Sequence, residues 1–265
     1  MQPEEKTTEV KRHFDAVARR YDLMNTVLSF GLHHLWKQRA VGLLGLKPGE
    51  RAVDVCGGTA DLALLAAQEV GPTGGVVLYD INRAMMLAGL SKVAQAGLAG
   101  RIWFVEGDAE CLAVADKSLD AALVGFGVRN LARMEEALQE MHRALKPGGR
   151  LLILEFSRPS NPLWRWLYDR YSFLVMPLLG QLIAGSREAY AYLTTSIRQF
   201  PLPEELAATL RSIGFSQVTY HPLSNGIAMI HLAVKHRDFG GGGQGSRTPG
   251  PSPNPLSGHC LWLEP

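Results

Sequence analysis

The chain has 265 residues, of which 46% are hydrophobic and 20% charged, and its formal net charge is +2. That composition belongs to an ordinary globular chain long enough to bury a sizeable core, and so balanced a charge, with no run of Lys and Arg, excludes a nucleic-acid footprint. Three cysteines, Cys56, Cys111 and Cys260, stand far apart with no CxxC. They outline neither a disulfide framework nor a zinc site, and no metal is expected; a reducing cytoplasm suits them.

The N-terminus, Met1 to Glu9, is polar and acidic, without the apolar core of a signal peptide. An amphipathic helix is predicted from Thr8 to Tyr21, with Val10, Phe14 and Val17 on one face. A second helix around Leu35–Leu44 ends at Lys47-Pro48-Gly49. The period then changes. Arg51–Cys56 reads as a buried strand, followed by Gly57-Gly58 and a helix over Ala60–Val70. Strands follow at Gly74–Ile81, Arg101–Glu106, Leu119–Gly125 and Arg150–Phe156, with helices at Asn82–Gln95 and Met134–Leu145 and a turn at Pro147-Gly148-Gly149. This alternation predicts a doubly wound α/β fold, a parallel sheet covered by helices on both faces.

Residues 159–200, rich in Trp, Tyr and Leu, interrupt the alternation and read as a helical insertion or lid. Within them Phe173–Gly185 is apolar but broken by Pro177 and shorter than the roughly 20 residues a membrane span needs. A helix at Pro203–Ile213 precedes two strands, Phe215–His221 and Ile227–Lys235, which fit an antiparallel closing pair. The domain organisation expected is a helical cap at 1–50, an α/β domain at 51–237 and a Gly/Pro-rich disordered tail at 238–265. Leu261, Trp262 and Leu263 are a possible docking peptide within that tail, although a dispensable extension is favoured.

The densest chemical signal is Val53-Asp54-Val55-Cys56-Gly57-Gly58-Thr59-Ala60-Asp61, a strand that ends in a glycine turn from which a helix starts at once. Glycines let the backbone turn tightly and approach a ligand, and ligands of open α/β sheets sit at the carboxyl ends of the strands. The phosphate-binding GxGxxG is absent, which argues against a nicotinamide dinucleotide. Asp80 ends the second strand, where an acid can accept from both ribose hydroxyls; Asp108 ends the third, in reach of an adenine amino group. Each acid alone is more often a helix cap or turn former. Their shared register at successive strand ends describes a nucleoside cleft for a cationic ligand, and S-adenosylmethionine, with its sulfonium and ammonium, matches it.

Two longer blocks carry a family resemblance. Tyr21-Asp22-Leu23-Met24-Asn25 continues through His33, His34 and Trp36 to Lys37, and Arg143-Ala144-Leu145-Lys146-Pro147-Gly148-Gly149 runs on to Phe156 and Ser157. Between them stand Asp80-Ile81-Asn82, Gly107-Asp108-Ala109-Glu110 and Gly125-Phe126-Gly127-Val128-Arg129-Asn130. With these motifs the chain resembles the menaquinone/ubiquinone C-methyltransferases, of the UbiE/MenG type, over roughly residues 14–235. The resemblance implies a seven-stranded, Rossmann-like class I methyltransferase sheet with an antiparallel last strand. It also implies C-methylation of a polyprenylated quinol ring by S-adenosylmethionine, with demethylmenaquinol favoured over 2-methoxy-6-polyprenyl-benzoquinol. The family's cofactor positions fall on Thr59, Asp80, Asp108 and Ala109, and Asp54, Gly57, Gly58, Ile81 and Gly125 complete the candidate cofactor set. Gly125 replaces the family's usual Ser, Ala60 its usual Gly and His34 its more frequent Arg. Ala60 is expected to avoid a positive φ or to adjust locally.

A methyl sulfonium is already activated, so positioning and activation of the ring carbon are what the protein must add. Arg129 is the candidate to stabilise a phenolate and His33 the candidate base. Tyr21 and Asn25 are candidates to orient the ring oxygens, and Asn130 joins Asn25 and Arg129 in the candidate substrate set. The plainer alternatives are a structural histidine at 33 and a surface ion pair at 129. For the apolar tail of the quinol, Leu163–Leu167 and Phe173–Ile183 are a candidate tunnel wall or membrane-surface contact, with a homodimer face as the alternative. The expected location is the bacterial cytoplasm, peripheral to the membrane. Competing readings are another lipophilic acceptor and a non-catalytic adenosylmethionine-binding protein.

Overall fold

The computed structural model describes residues 2–237 and, as backbone, residues 261–263. Chain order opens with three helices, α1 (Pro3–Val17), α2 (Tyr21–Leu28) and α3 (Leu32–Leu44). The α/β alternation follows as β1 (Arg51–Val55), α4 (Asp61–Val70), β2 (Gly75–Asp80), α5 (Arg83–Gln95), β3 (Ile102–Glu106), β4 (Leu119–Gly125), α6 (Met134–Ala144) and β5 (Leu145–Phe156). The insertion holds α7 (Pro162–Arg170), α8 (Met176–Leu179) and α9 (Arg187–Gln199). The fold closes with α10 (Pro203–Ile213), β6 (Phe215–Leu223) and β7 (Ala228–Lys235).

The sheet runs β6-β7-β5-β4-β1-β2-β3, parallel throughout except for β7, which is antiparallel to both neighbours. This is the expected doubly wound seven-stranded sheet with an antiparallel last strand. One element was not expected: β8 (Leu261–Leu263) adds a short antiparallel pairing to the outer edge of β3. The rest of the tail that was expected to be disordered lies outside the described residues.

β1 and β4 are central, and their apolar residues alternate between two cores. Ala52 and Leu123 join α3 and α4 on one face, whereas Val53, Val55 and Val124 join α6 and α10 on the other. Burial on both faces explains why these strands read as continuous apolar runs. A third, small core of Val17, Met24 and Tyr190 fastens the N-terminal helices to the insertion.

Three boundaries differ from expectation. α1 begins at Pro3 rather than Thr8, because Pro3 opens the helix and the Glu5 carboxylate accepts the Gln2 N–H at 3.1 Å. Tyr21–Leu28 forms its own helix. The Pro147–Gly149 segment lies inside β5, which starts at Leu145 opposite Leu119 and resumes at Arg150 opposite Ala121 after an irregularity in the ladder.

From Pro162 to Ala184 the chain is helical without interruption, because α7 and α8 are joined and followed by two π-helical turns, at 171–175 and 180–184. Ser172, Met176 and Gly180 point inward, while Leu163, Leu167, Leu174, Leu178 and Leu182 stay exposed. Among the described residues no helix is long and apolar enough to cross a membrane.

Candidate active site

Two cavities lie side by side at the carboxyl end of the sheet, where loops after β1, β2, β3 and β4 converge. The first, with about 1000 Å³ of empty volume, is lined by all nine candidate cofactor residues, Asp54, Gly57, Gly58, Thr59, Asp80, Ile81, Asp108, Ala109 and Gly125. The second, about 880 Å³, is lined by His33, Asn25 and Arg129 together with Tyr168, Tyr171, Tyr190 and Tyr192. Phe14, Tyr21 and Phe126 line both. Asn130, expected with the substrate set, lines the first cavity; its Oδ1 accepts from the Tyr192 hydroxyl at 3.4 Å.

Strand-end geometry sets the acids. Asp80 Oδ1 accepts the Asn82 N–H at 2.7 Å and Oδ2 the Gly58 N–H at 2.8 Å, so the carboxylate is clamped by backbone donors at the strand end. Burial pushes Asp80 up to about 6 despite those backbone donors. Asp108 Oδ1 takes the Glu110 N–H at 2.9 Å. Asp54 is 1% exposed; Oδ2 accepts the Ala63 N–H at 2.9 Å, and Oδ1 has no partner among the described residues. Burial carries Asp54 up to about 8.

The loop between β1 and α4 turns through left-handed residues at Cys56 (φ 55°), Gly58 (φ 50°) and Ala60 (φ 69°). Ala60 therefore keeps the backbone conformation a glycine would take, contrary to expectation, because α4 starts directly at Asp61 and leaves no residue to absorb the turn. A Cβ on Gly57 would lie 2.6 Å from Leu78 Cγ, so only glycine admits that close approach. At Gly125 the space of a Cβ is taken by Leu62 Cδ1, 2.5 Å away.

The roof is α1. Thr7, Val10, Lys11 and Phe14 face the first cavity, and the helix is tied down by Lys6 Nζ donating to Leu131 O at 2.6 Å and Asn82 Nδ2 donating to Asp15 Oδ1 at 2.9 Å. An orphaned buried acid, two clamped acids and a loop without room for side chains fit a cationic nucleoside such as S-adenosylmethionine.

In the second cavity Arg129 is not on the surface. Its Nη1 donates to Glu155 Oε1 at 2.7 Å and to the Phe126 carbonyl, and its side chain is 5% exposed. Its Nε–H is buried without a partner among the described residues. The guanidinium carbon also stands 5.5 Å from the Phe156 ring centroid.

His33 is 2% exposed, with Nε2 3.1 Å from Thr26 Oγ1. Thr26 has one hydroxyl hydrogen, and it goes to the Asp22 carbonyl at 2.9 Å. With that hydrogen on the carbonyl, His33 Nε2 donates to Thr26, and Nδ1 is then a buried acceptor without a partner among the described residues. Burial first, then Lys37 and His34, depress His33 to about 4, so the imidazole is neutral near pH 7. Burial raises the Tyr21 hydroxyl, against a hydrogen bond from Asn25.

Sequence reasoning missed several residues of the site. Glu155 sits in a strand motif that reads as core. Lys37 and Asp61 meet at 2.6 Å across 24 positions, and the aromatic wall comes from the insertion. The signal that existed was the Tyr21–Lys37 block, whose polar residues are too many for a packing helix.

Over residues 2–235 the chain matches the ubiE/COQ5 methyltransferase family. It belongs to that family. The ubiquinone/menaquinone biosynthesis C-methyltransferase UbiE of Ectopseudomonas mendocina (strain ymp) is 49% identical over 231 residues, covering 87% of this chain and 90% of the relative. The protein of the same name from Pseudomonas fluorescens (strain SBW25) is 47% identical with the same coverage. Among solved structures, a possible histamine N-methyltransferase of Thermotoga maritima aligns with TM-score 0.59 at 20% identity, covering 84% of this chain and 99% of that one. A SAM-dependent methyltransferase from Aquifex aeolicus gives 0.55 at 18%, with 75% and 88% covered. At that distance the solved structures establish the fold. With the family established, the protein is an enzyme, a C-methyltransferase that uses S-adenosylmethionine.

Proposed function

We propose that the protein methylates a ring carbon of a polyprenylated quinol, with demethylmenaquinol as the first acceptor and 2-methoxy-6-polyprenyl-benzoquinol as the second. The relatives are ubiquinone/menaquinone biosynthesis C-methyltransferases, a name that covers both pathways. The observation that carries the reading is the junction at Phe14, Tyr21 and Phe126, where a polar, acid-lined cavity opens beside an aromatic and apolar one. A flat ring in the second cavity then faces the group held in the first.

The cofactor, when bound, supplies a methyl group on a positively charged sulfur. Asp80 and Asp108 hold its ribose and adenine, and the glycine loop keeps side chains out of the way. The quinol hydroxyl, a phenol near pKa 10, must give up electron density to the ring. Arg129 presents a desolvated guanidinium, whose Nε–H is buried and unpaired among the described residues, to the oxygen that becomes phenolate. Glu155, behind it, holds the guanidinium in place and keeps the pair neutral before substrate binds. His33 Nδ1 accepts a hydrogen bond from a ring hydroxyl; with a pKa about 4 it does not keep the proton, which passes to water, and after methyl transfer the ring carbon gives up its hydrogen as the oxygen takes one back, a net release of one proton beside the thioether product. Tyr21 and Asn25 orient the ring from the α2 side.

The outer face of the 162–184 helix is the proposed contact with lipid. α7 has no buried residue, and Trp164 and Trp166 are exposed with the leucine row. Between 158 and 187 the sequence holds one acid, Asp169, and four arginines, Arg158, Arg165, Arg170 and Arg187, and Asp169 is paired with Arg198. Aromatic and apolar side chains interleaved with cations suit an anionic bilayer surface. The inner face of the same helix contributes Tyr168, Tyr171 and Met176 to the second cavity, so a prenyl tail would have a short way from membrane to ring. The protein is proposed to be cytoplasmic and peripheral.

The deciding experiment is transfer of labelled methyl from adenosylmethionine to chemically reduced demethylmenaquinone, with the reduced benzoquinol alongside. Methylation of either supports the reading and ranks the rings. No transfer to either, with adenosylhomocysteine still bound, would assign a different acceptor.

A further inference from the structure

A compact ion cluster joins the N-terminal cap to the first cavity. Lys92 Nζ donates to Asp22 Oδ2 at 2.9 Å and also contacts Asp61 Oδ1. Lys37 Nζ donates to Asp61 Oδ2 at 2.6 Å, and Asp22 Oδ1 accepts the Thr59 hydroxyl at 2.7 Å. Lys37, Thr59 and Asp61 line the cavity, each from a different position around the start of α4.

Two features are unexplained by folding alone. Lys37 is 6% exposed, yet Asp61 is its one hydrogen-bond partner among the described residues, so only one of three ammonium hydrogens is used. A buried ammonium that keeps free donors beside a cavity is costly unless an anion completes it. Thr59, for its part, has committed its single hydrogen to Asp22. Toward the cavity its oxygen offers lone pairs only, so it can bind a donor and cannot bind an acceptor. The two lysines and two aspartates balance in charge. Burial opposes ionisation of Asp61, but Lys37 and Lys92 outweigh it and hold the carboxyl at about 2, so Asp61 is ionised at neutral pH.

An anion site at Lys37 and a cation site at Thr59, in one cavity, match a zwitterion. We infer that this cluster reads the amino-acid end of adenosylmethionine: Lys37, aimed by Asp61, binds the carboxylate, and Asp22 fixes the hydroxyl of Thr59, a position the family already gives to the cofactor, so that its oxygen accepts from the ammonium. The inference rests on the reading of the first cavity as the cofactor site, and it makes Asp22 and Asp61 positioning residues. Through Asp22 it also couples α2, which lines the acceptor cavity, to the occupancy of the cofactor cavity.

The test is calorimetric binding of two ligands that share the nucleoside and thioether. Adenosylhomocysteine carries the amino acid, and 5′-methylthioadenosine lacks it. K37Q and T59V are compared with the parent. The expected result is a loss of roughly tenfold or more in adenosylhomocysteine affinity for each variant, the size of one charge-assisted hydrogen bond, with methylthioadenosine binding unchanged. K37R, which keeps the charge, should fall between the parent and K37Q. Equal losses for both ligands, no loss for either, or failure of K37Q to fold and bind methylthioadenosine would overturn the inference. If the parent itself binds neither ligand, the reading of the cavity has failed instead.

Discussion

Arg129 and Glu155 form an ion pair closed to water, Nη1 to Oε1 at 2.7 Å, with side chains 5% and 1% exposed. Such a pair is costly to break one-sidedly. E155Q should destabilise the fold by about 3 kcal/mol, because it leaves a buried guanidinium without its counter-charge. R129Q removes the cation from the acceptor cavity. It should lower kcat by roughly 100-fold, on the order of a lost transition-state donor, while adenosylhomocysteine binding is retained. Methyl-transfer kinetics beside calorimetry would check both. An R129Q enzyme with parental kcat would remove Arg129 from the chemistry.

His33 offers a second prediction. Because its pKa is about 4, the rate profile should show no ionisation near pH 6.5 attributable to this residue. H33N places an amide oxygen close to the Nδ1 position and should keep more activity than H33F, which has no acceptor. Equal activity in the two variants would mean that the Nδ1 lone pair is not used.

Asp54 links stability to pH. Its carboxyl sits at about 8 in the folded protein and near 3.8 unfolded, so between those values the native state binds the extra proton. Stability of the ligand-free protein should therefore be greatest at low pH within that window and fall as pH rises from about 4 to about 8, with Asp80 contributing between about 4 and about 6. D54N should flatten the upper part of this slope. Thermal melts across the range decide it, and a parental slope in D54N would show that another group is responsible.

Ala60 is held at φ 69°, a conformation that costs an alanine about 1–2 kcal/mol. Glycine avoids that cost but loses about 0.5–1 kcal/mol of chain entropy. A60G should thus raise stability by up to about 1 kcal/mol, a few degrees in Tm for a chain of this size. A lowered Tm would mean that the Ala60 methyl, fully buried, matters more than the backbone.

The exposed row on the 162–184 helix predicts co-sedimentation with anionic vesicles. Replacing Trp166, Leu174 and Leu178 by Ser should reduce pelleting and weaken its salt dependence little, whereas R165Q/R170Q should reduce both. These five side chains are exposed, so folding should survive. Undiminished pelleting of the Ser variant would sink the lipid contact, as would a dimer of the parent in lipid-free solution that the Ser variant abolishes.

The sheet was legible because strands and the turns after them are written locally. Asp54, Asp80 and Asp108 each stand at the end of an apolar run, and parallel pairing puts those ends together. The cap was less legible. The partners Asp22 and Thr59 lie 37 positions apart and Asp22 and Lys92 70 apart, and no local pattern announces their meeting. The start of α1 was obscured because Pro3 and Glu5 signal by capping, while the apolar period begins only at Val10. Two π turns keep the leucines of 162–184 on one side, and a period of 3.6 does not reveal them. At Ala60 residue preference pointed away from the conformation that the adjoining helix start imposes.

Phe14, Tyr21 and Phe126 serve two cavities at once, and this divides the site into residues that can drift and residues that cannot. A change at any of the three alters the seat of the cofactor together with that of the acceptor. Divergence toward a wider or narrower aromatic ring is thereby channelled to side chains that line the second cavity alone, such as Asn25, Leu28 and Tyr190. Descendants of one ancestral fold can exchange acceptors along that wall while the methyl donor stays the same.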